Sequence, residues 1–350
     1  MVAVTAGDRL GRWVDWREEV PPASSWFRRR CEVRNTLTVA RLLAGAALGG
    51  RRSAAPEPGP AHPVVFVVGC PRSGTTWLQE LVAGSPAVAT TQESHVYEAL
   101  YRPVVAHGAR RVEGWVKALQ RRDLGSREQR WVGLHWWVTH GELVGVIADA
   151  LACPGDDRAV ASRAVRGVLD GWFTRHGRGA TVLLEKTPSH LFVVPEIVST
   201  FPDARIIEIV RDPRDVCVSL EKQALTLAWP PRRRIDQIRL WRRYVTCGDE
   251  LADRPGVAGR LRRVRFEDLS ADTAGVLAEL FSFLGLDADE TEIGRIVEAN
   301  RITRFPRRRD GSHRRKGEVG SWRTELDPAE VALIETELGP EMDRLGYERS

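Results

Sequence analysis

A strand, a glycine-containing turn and a helix follow one another in the first third of the chain, and they constrain the fold more than any other feature. Val64-Val65-Phe66-Val67-Val68 is a continuous apolar run rich in β-branched residues, which is typical of a strand buried on both faces. The turn begins at Gly69. Beyond it, Leu78, Leu81 and Val82 have the i, i+3, i+4 spacing of one helical face. The pattern predicts the start of a parallel α/β sheet.

Three later segments repeat this order of a short strand and a helix start. The predicted strands are residues 181–184, 205–210 and 261–266. Thr187 and Asp212 are predicted helix N-caps, because a proline suited to the first helical turn follows each of them. Strands that alternate with helices predict a P-loop-like parallel sheet with helices on both faces.

Composition divides the rest of the chain. Residues 51–63 contain four prolines and predict a linker, so residues 1–60 are interpreted as an N-terminal extension and linker. Residues 61–345 are then expected to form a single domain, with a mainly helical insertion at 94–180. The tryptophans of the insertion are expected to be core or, alternatively, a wall of a ligand pocket; they are Trp115, Trp131, Trp136, Trp137 and Trp172.

The charge balance favours an anionic ligand without identifying it. The net charge of +5 fits a nucleotide, a nucleic acid or an acidic lipid equally well. Arginine runs such as 232–234 and 307–309 are expected to be solvated surface. These numbers alone leave a non-catalytic polyanion-binding protein open as an alternative.

Cysteine usage and the N-terminus predict a cytoplasmic protein. The five cysteines form no C-x-x-C pair, so neither a disulfide framework nor a zinc site is expected. Charged residues precede any apolar run near the N-terminus, which does not fit a signal peptide. The longest apolar stretch there, residues 43–50, is far shorter than the ~20 residues of a membrane span. No transmembrane segment is therefore expected.

The turn has the glycine spacing of a phosphate-binding loop. Gly69 and Gly74 are five residues apart, as in G-x-x-x-x-G-K-[ST]. Thr75 stands where that motif has its lysine, the residue that contacts the β- and γ-phosphates of a nucleoside triphosphate. Its absence counts against the alternative of a P-loop kinase or NTPase. The cation instead lies inside the loop, as Arg72, which suits one 5′-phosphate that carries a transferable group.

The full string Pro-Arg-Ser-Gly-Thr-Thr-Trp behind a buried strand resembles the loop of sulfotransferases that use 3′-phosphoadenosine-5′-phosphosulfate (PAPS). The resemblance implies that Arg72 and the loop amides bind the 5′-phosphosulfate and that Trp77 lies near the adenine. The residues implied to line the phosphosulfate are Ser73, Gly74, Thr75 and Thr76.

Two further segments resemble the elements with which this family binds the 3′-phosphate. In the segment 211–219, Arg211 and Ser219 are implied to contact that phosphate. The segment 315–323 resembles R-K-G-x-x-G-D-W-K, with Ser321 at the usual aspartate position, and implies phosphate contacts from its first three residues. These are Arg315, Lys316 and Gly317.

In-line sulfuryl transfer needs a cation near the oxygen that leaves with the phosphate and a base for the acceptor hydroxyl. Glu185-Lys186-Thr187-Pro188 resembles a family segment whose lysine reaches the reacting centre, so Lys186 and Arg72 are the candidate cations. Glu93 is the preferred base, 21 residues after Arg72, and His190 is the alternative. His95 is a weaker third candidate.

The sequence thus predicts an enzyme that transfers a sulfuryl group from PAPS to a hydroxyl group, leaving a sulfate ester and 3′,5′-adenosine bisphosphate. The acceptor is expected to be a small molecule, a carbohydrate or a lipid, and neither a metal nor a nucleic acid is expected as a partner. The sequence leaves the identity of the acceptor and the oligomeric state open.

Overall fold

The computed structural model contains one sheet of five parallel strands, four of which correspond to the predicted strands. The strand order is β2-β3-β1-β4-β5, so the first predicted strand lies at the centre of the sheet. The parallel sheet predicted from the sequence is confirmed. The strands are β1 (Val64–Gly69), β2 (Val88–Thr90), β3 (Val182–Lys186), β4 (Arg205–Val210) and β5 (Leu261–Arg265).

The structure describes residues 62–108, 137–138, 140–225, 227, 229–301 and 318–350. Contacts group the described residues into two units. The larger unit contains the described residues from Asn35 to Arg211 and from Tyr244 to Val319. The smaller unit contains the described residues from Asp212 to Arg243 and from Gly320 to Ser350. The whole sheet belongs to the larger unit.

Helices make up most of the remaining described chain. A π-helical turn at Tyr97–Tyr101 leads into α2, and a 3₁₀ turn at Pro188–Val193 leads into α5. No helix within the described ranges is long and apolar enough to cross a membrane. The α-helices are α1 (Thr75–Val82), α2 (Arg102–His107), α3 (His140–Ala152), α4 (Asp157–His176), α5 (Val194–Thr200), α6 (Pro213–Ala224), α7 (Arg234–Ala252), α8 (Phe266–Ala271), α9 (Thr273–Leu284), α10 (Glu290–Ala299), α11 (Trp322–Glu325) and α12 (Pro328–Arg344).

Alternate residues of β1 enter two different layers of the larger unit. Val65 and Val67 belong to the core that α1, α8, α9 and α10 cover, together with the predicted helical face of Leu78 and Leu81. Phe66 is also fully buried, and its ring packs against aromatic and imidazole rings instead. These rings belong to Tyr97, His190 and Phe201. Because both faces of β1 are covered, the strand is apolar at every position.

The predicted helical insertion is confirmed where it is described. Helices α2, α3 and α4 occupy it, and Trp137 and Trp172 are buried with their ring centroids 4.9 Å apart. These two tryptophans are therefore core residues, as one of the two interpretations expected. Trp115, Trp131 and Trp136 lie outside the described residues.

The two predicted helix caps have different outcomes. Asp212 is confirmed, because its side chain accepts a hydrogen bond from the backbone N–H of Arg214 at 2.8 Å. The prediction for Thr187 is wrong. Its hydroxyl donates to Glu185 Oε1 at 2.6 Å and makes no capping bond to the 3₁₀ turn that follows.

The smaller unit is built on α6, against which α11 and α12 pack. The guanidinium of Arg214 lies 3.8 Å from the ring centroid of Trp322 and pairs with Asp212 and Glu335. Asp215 accepts three hydrogen bonds from the start of α11, one of them from the Ser321 hydroxyl at 3.0 Å. Ser321 thus serves packing within this unit.

Candidate active site

The phosphate-type loop connects β1 with α1 and leaves little room for side chains at its glycines. Gly69 has φ 141°, and a Cβ atom there would lie 2.3 Å from the carbonyl oxygen of Ile209. Gly74 has φ 101°, and a Cβ atom there would lie 2.5 Å from the ring of Phe266. Both positions therefore require glycine, which explains the spacing found in the sequence.

Two features of this loop are typical of a ligand site. Arg72 has φ 77°, a left-handed backbone conformation that side-chain-bearing residues rarely adopt and that occurs at functional sites. Ser73 is fully buried, and its hydroxyl has no hydrogen-bond partner among the described residues. A buried hydroxyl without a partner costs free energy, so a polar ligand at the loop would satisfy it. The N-terminus of α1 points to an anion as that ligand.

Lys186 brings the loop and the predicted base together. It is the last residue of β3, next to β1 in the sheet, and only 6% of its side chain is exposed. Its Nζ donates to Glu93 Oε1 at 2.5 Å and to the hydroxyl of Thr76 at 3.3 Å. The structure therefore places two other predicted site residues, Glu93 and Thr76, within hydrogen-bond distance of the Lys186 ammonium group.

The segment that carries Glu93 is anchored to β3 and to the core. Ser94 donates through its backbone N–H and its hydroxyl to Glu185 Oε1, at 3.1 and 2.7 Å. The backbone N–H of His95 donates to the Thr187 hydroxyl at 3.2 Å. Trp137 Nε1 donates to the carbonyl oxygen of the residue before Glu93 at 2.7 Å. The Glu93 side chain is 37% exposed, so it is held in place but stays accessible.

His95 lies on the other side of the Glu93 carboxylate from Lys186. Its Nε2 is 3.2 Å from Glu93 Oε2, and its backbone is left-handed with φ 50°. Burial raises the pKa of Glu93, but the hydrogen bond from His95 and the charge of Lys186 outweigh it and lower that pKa to about 2. Burial lowers the pKa of His95, and the carboxylates of Glu93 and Glu98 raise it above its ordinary value overall.

His190 occupies a different environment, below the surface of the site. It is fully buried, with Nδ1 2.8 Å from Glu185 Oε2 and Nε2 3.1 Å from Glu98 Oε2. Burial lowers the pKa of His190, but the two carboxylates raise it to about 10 overall. The hydroxyl of Ser189 also donates to Glu98. Both ring nitrogens therefore lie within hydrogen-bond distance of a carboxylate.

Arg211 follows β4 and contacts the loop from the other side of β1. Its guanidinium carbon lies 4.4 Å from the ring centroid of Phe266. Nη2 donates to the carbonyl oxygen of Glu318 at 2.8 Å, and Nη1 donates to that of Arg72 at 3.4 Å. Trp77, in the first turn of α1, donates its Nε1 to the carbonyl oxygen of Asn300 at 3.0 Å. The carboxyl ends of β1, β3 and β4 thus carry the site, as is usual in open α/β sheets.

A model described as the sulfotransferase family matches residues 63–290, about two thirds of the chain. The chain belongs to the sulfotransferase family. The family match covers the loop, Glu93, Lys186 and Arg211, which are the residues that the structure gathers at the site. It excludes the alternatives of a P-loop kinase and of a non-catalytic polyanion-binding protein.

Two curated relatives of this sulfotransferase are similar over its whole length. They are the omega-hydroxy-beta-dihydromenaquinone-9 sulfotransferases Stf3 of Mycobacterium bovis and Mycobacterium tuberculosis. Each is 25% identical over 100% of this chain and 96% of the relative. Among solved structures, sulfotransferase STF9 from Mycobacterium avium has a TM-score of 0.52 at 17% identity, covering 99% of this chain and 98% of that one. That likeness concerns the fold.

Some predicted site residues of this sulfotransferase belong to the smaller unit or lie outside the described residues. Ser219 lies on α6 and belongs to the smaller unit, whereas Arg211 belongs to the larger one. Arg315, Lys316 and Gly317 lie outside the described residues. Their predicted contacts with the 3′-phosphate stay predictions. No cluster of histidine, cysteine and carboxylate side chains suited to a metal ion is found in the described ranges.

The group of charged side chains beneath the site was not predicted from the sequence. Glu185 was noted only as part of a motif, and neither Glu98 nor Ser94 was singled out. One signal was available for Glu185, because a charged residue directly after three apolar strand residues needs a buried partner. Nothing in the local sequence pairs Glu98 with His190, which is 92 residues away.

Proposed function

We propose that this sulfotransferase takes the sulfuryl group from PAPS and transfers it to a hydroxyl group of a small-molecule, carbohydrate or lipid acceptor. The observation that carries the proposal is the position of Lys186 Nζ between the Glu93 carboxylate and the Thr76 hydroxyl of the loop. A cation for the leaving oxygen and a base for the attacking hydroxyl thereby meet at one point.

The proposed step is a single in-line displacement at sulfur. The acceptor oxygen forms a bond to sulfur while the bond from sulfur to the bridging phosphate oxygen breaks. The acceptor proton passes to Glu93, and the electron pair of the broken bond stays on the bridging oxygen, which Lys186 and Arg72 stabilise. The products are a sulfate ester and 3′,5′-adenosine bisphosphate.

The low pKa of Glu93 is compatible with the role of a base once the donor is bound. In the structure described here Lys186 donates to Glu93, which keeps the carboxylate ionised. A phosphosulfate at the loop competes for the same ammonium group, and withdrawal of that positive charge raises the pKa of Glu93. We therefore propose that donor binding makes Glu93 a stronger base.

Glu93 is the proposed base rather than His190. An exposed fraction of 37% supports the accessibility of Glu93, whereas the His190 ring is buried between two carboxylates. Lys186, Arg72 and Glu93 are the proposed catalytic residues. The phosphosulfate is proposed to contact the loop from Ser73 to Thr76, and Arg211 is proposed to bind the 3′-phosphate.

The names of the curated relatives, which refer to an omega-hydroxylated dihydromenaquinone, support one acceptor class. Since these relatives are similar over the whole chain, we propose a lipid-like hydroxyl compound as the first acceptor to test. Sugars and small phenols remain the comparison classes.

Incubation with ³⁵S-labelled PAPS and an acceptor panel tests the proposal. Label is expected in a sulfate ester of a lipid-like alcohol, together with an equal amount of 3′,5′-adenosine bisphosphate. A matched reaction with γ-labelled ATP is expected to transfer nothing. Transfer from ATP would contradict the proposed donor. Label in a sugar or a phenol, but in no lipid, would contradict the proposed lipid-like acceptor.

A further inference from the structure

The turn between α6 and α7 exposes large apolar side chains. Leu225 is 83% exposed and Trp229 is 47% exposed. Of the four exposed large hydrophobic side chains among the described residues, two are therefore in this one turn, and the other two are Val319 and Leu333. Singly scattered apolar residues are ordinary on a protein surface, whereas Leu225 and Trp229 are exposed only four residues apart in the chain.

The two ends of the turn are held together by hydrogen bonds. Arg234 Nη2 is 2.7 Å from Glu221 Oε2, which joins the start of α7 to the end of α6. Arg234 Nη1 also donates to Gln237 Oε1 at 2.7 Å, and Gln237 Nε2 donates to the carbonyl oxygen of Pro231 at 3.0 Å. Both ends of the turn that carries the exposed apolar side chains are thus hydrogen-bonded within the smaller unit.

Positively charged residues follow these apolar residues in the chain. Arg232 is exposed, and the side chains of Arg233 and Arg239 are 62% and 57% exposed. Both Arg233 and Arg239 pair with the same carboxylate, that of the buried Asp236. One carboxylate balances only one of the two guanidinium charges. Residues 221–243 contain seven basic and two acidic residues, so the surroundings of the turn are positive as well.

We propose that this turn docks the protein on an anionic lipid bilayer. The docking surface consists of Leu225, Trp229, Arg232, Arg233 and Arg239. Leucine and tryptophan side chains enter the boundary between headgroups and acyl chains, and arginines bind the anionic headgroups next to them. The proposal does not depend on the donor or the acceptor of the sulfuryl transfer.

The combination of apolar and basic residues favours a bilayer over other partners. A second copy of the chain on the same surface would bring two arginine groups together, which repel each other. A nucleic acid would bind the arginines but would gain nothing from Leu225. A bilayer with anionic headgroups satisfies both kinds of side chain.

Co-sedimentation of the full chain with lipid vesicles tests this proposal without any nucleotide. The protein is expected to bind vesicles of phosphatidylcholine with phosphatidylglycerol, to bind pure phosphatidylcholine weakly, and to be released by salt. The double variant L225S/W229S is expected to bind on the order of tenfold more weakly. The variant R232S/R233S is expected to lose about fivefold per arginine.

Matched controls come from the same unit. L333S removes another exposed leucine and R349S another exposed arginine, and both are expected to bind vesicles like the parent. Parental vesicle binding by L225S/W229S would overturn the proposal. Conversion of a parental dimer into a monomer by L225S/W229S would also overturn it. A third contrary result would be that R232S/R233S loses vesicle binding and heparin binding equally while L225S/W229S has no effect.

Discussion

At the scale of single residues, the exposed carboxylate of Glu93 differs from the other acidic groups near the loop. It contacts Lys186 and His95 and still has 37% of its side chain exposed. Glu185 and Glu98 are engaged by His190. Of these three carboxylates, only Glu93 combines contact with the site lysine and access for an acceptor.

Glu93→Gln is therefore expected to lower kcat by on the order of 10² or more, because the amide cannot accept the acceptor proton. The affinity for 3′,5′-adenosine bisphosphate, measured by titration calorimetry, is expected to stay within a few-fold of the parent. Glu279→Gln is the control, since Glu279 is an exposed glutamate of the same unit. Parental kcat in Glu93→Gln would disprove the assignment of the base.

His95 is expected to control the pH dependence through Glu93. Its imidazole helps to lower the pKa of Glu93 to about 2, so His95→Asn raises that pKa. The acid limb of the kcat/KM profile, which reports the free enzyme, is expected to move to higher pH. His107→Asn is the control, because His107 is exposed on α2. An unmoved acid limb in His95→Asn would show that His95 does not act through Glu93.

At the scale of structural elements, His190 joins three segments of the larger unit. It lies in the 3₁₀ turn after β3, and its ring contacts Glu185 of β3 and Glu98 of the π-helical turn. Glu185 in turn binds Ser94, next to Glu93. We infer that this group of buried charges sets the position of the base without taking part in the chemistry.

His190→Ala leaves the buried carboxylate of Glu185 and the partly buried carboxylate of Glu98 without their common partner, so it is expected to lower the free energy of unfolding by about 3–5 kcal/mol. Urea denaturation followed by circular dichroism measures this change. Folded His190→Ala is expected to retain more activity than Glu93→Gln. A variant of parental stability with no activity would instead identify His190 as the base.

The same group of charges predicts how stability depends on pH. The pKa of His190 is raised from 6.5 to about 10, so its stabilising effect is complete below pH 6.5 and is lost as the pH rises toward 10. The hydrogen bonds and charge of His190 lower the pKa values of Glu98 and Glu185 despite burial. The stabilising effect of these two carboxylates is therefore lost only in acid, as the pH falls below their ordinary pKa values. The difference in stability between parent and His190→Ala is therefore expected to shrink from pH 7 to pH 10. A constant difference would show that His190 is neutral when buried.

The strands of the sheet were predictable where burial requires several consecutive apolar residues. Strand β1 is an apolar run, and β4 is apolar except for Arg205 and Glu208, because both faces of these strands are covered. β2 has only three residues, two of them half-buried, and it was missed because so short a strand has no pattern of its own. The Thr187 cap failed because the nearby Glu185 carboxylate competes for its hydroxyl.

At the scale of the whole molecule, the site depends on contacts that no local pattern contains. The phosphate loop was predictable, since its glycines and helix start are consecutive in the sequence. The meeting of Lys186 with Glu93 and Thr76 follows from the parallel register of β1 and β3, which pairs Val67 with Lys186. Family resemblance supplied these residues at the sequence level, whereas spacing alone could not have paired them.

The donor proposal also predicts how ligands stabilise the entire protein. At about a hundred times its Kd, 3′,5′-adenosine bisphosphate is expected to add about 2.7 kcal/mol, equivalent to an increase in Tm of roughly 5 °C. Adenosine 5′-monophosphate lacks the 3′-phosphate, so at equal concentration it is expected to raise Tm less. Differential scanning fluorimetry measures both increases against the ligand-free protein.

Arg211 is the proposed source of that difference, because its guanidinium lies beside the loop at the end of β4. In Arg211→Gln the two nucleotides are expected to raise Tm by similar, small amounts relative to the variant without ligand. Arg262→Ala is the control, since Arg262 is an exposed arginine of the same unit, and it is expected to keep the parental difference. If Arg211→Gln still distinguished the two nucleotides as the parent does, the 3′-phosphate would be bound elsewhere in the protein. If ATP with Mg²⁺ stabilised the parent as much as the bisphosphate does, the loop would not select a PAPS-type nucleotide.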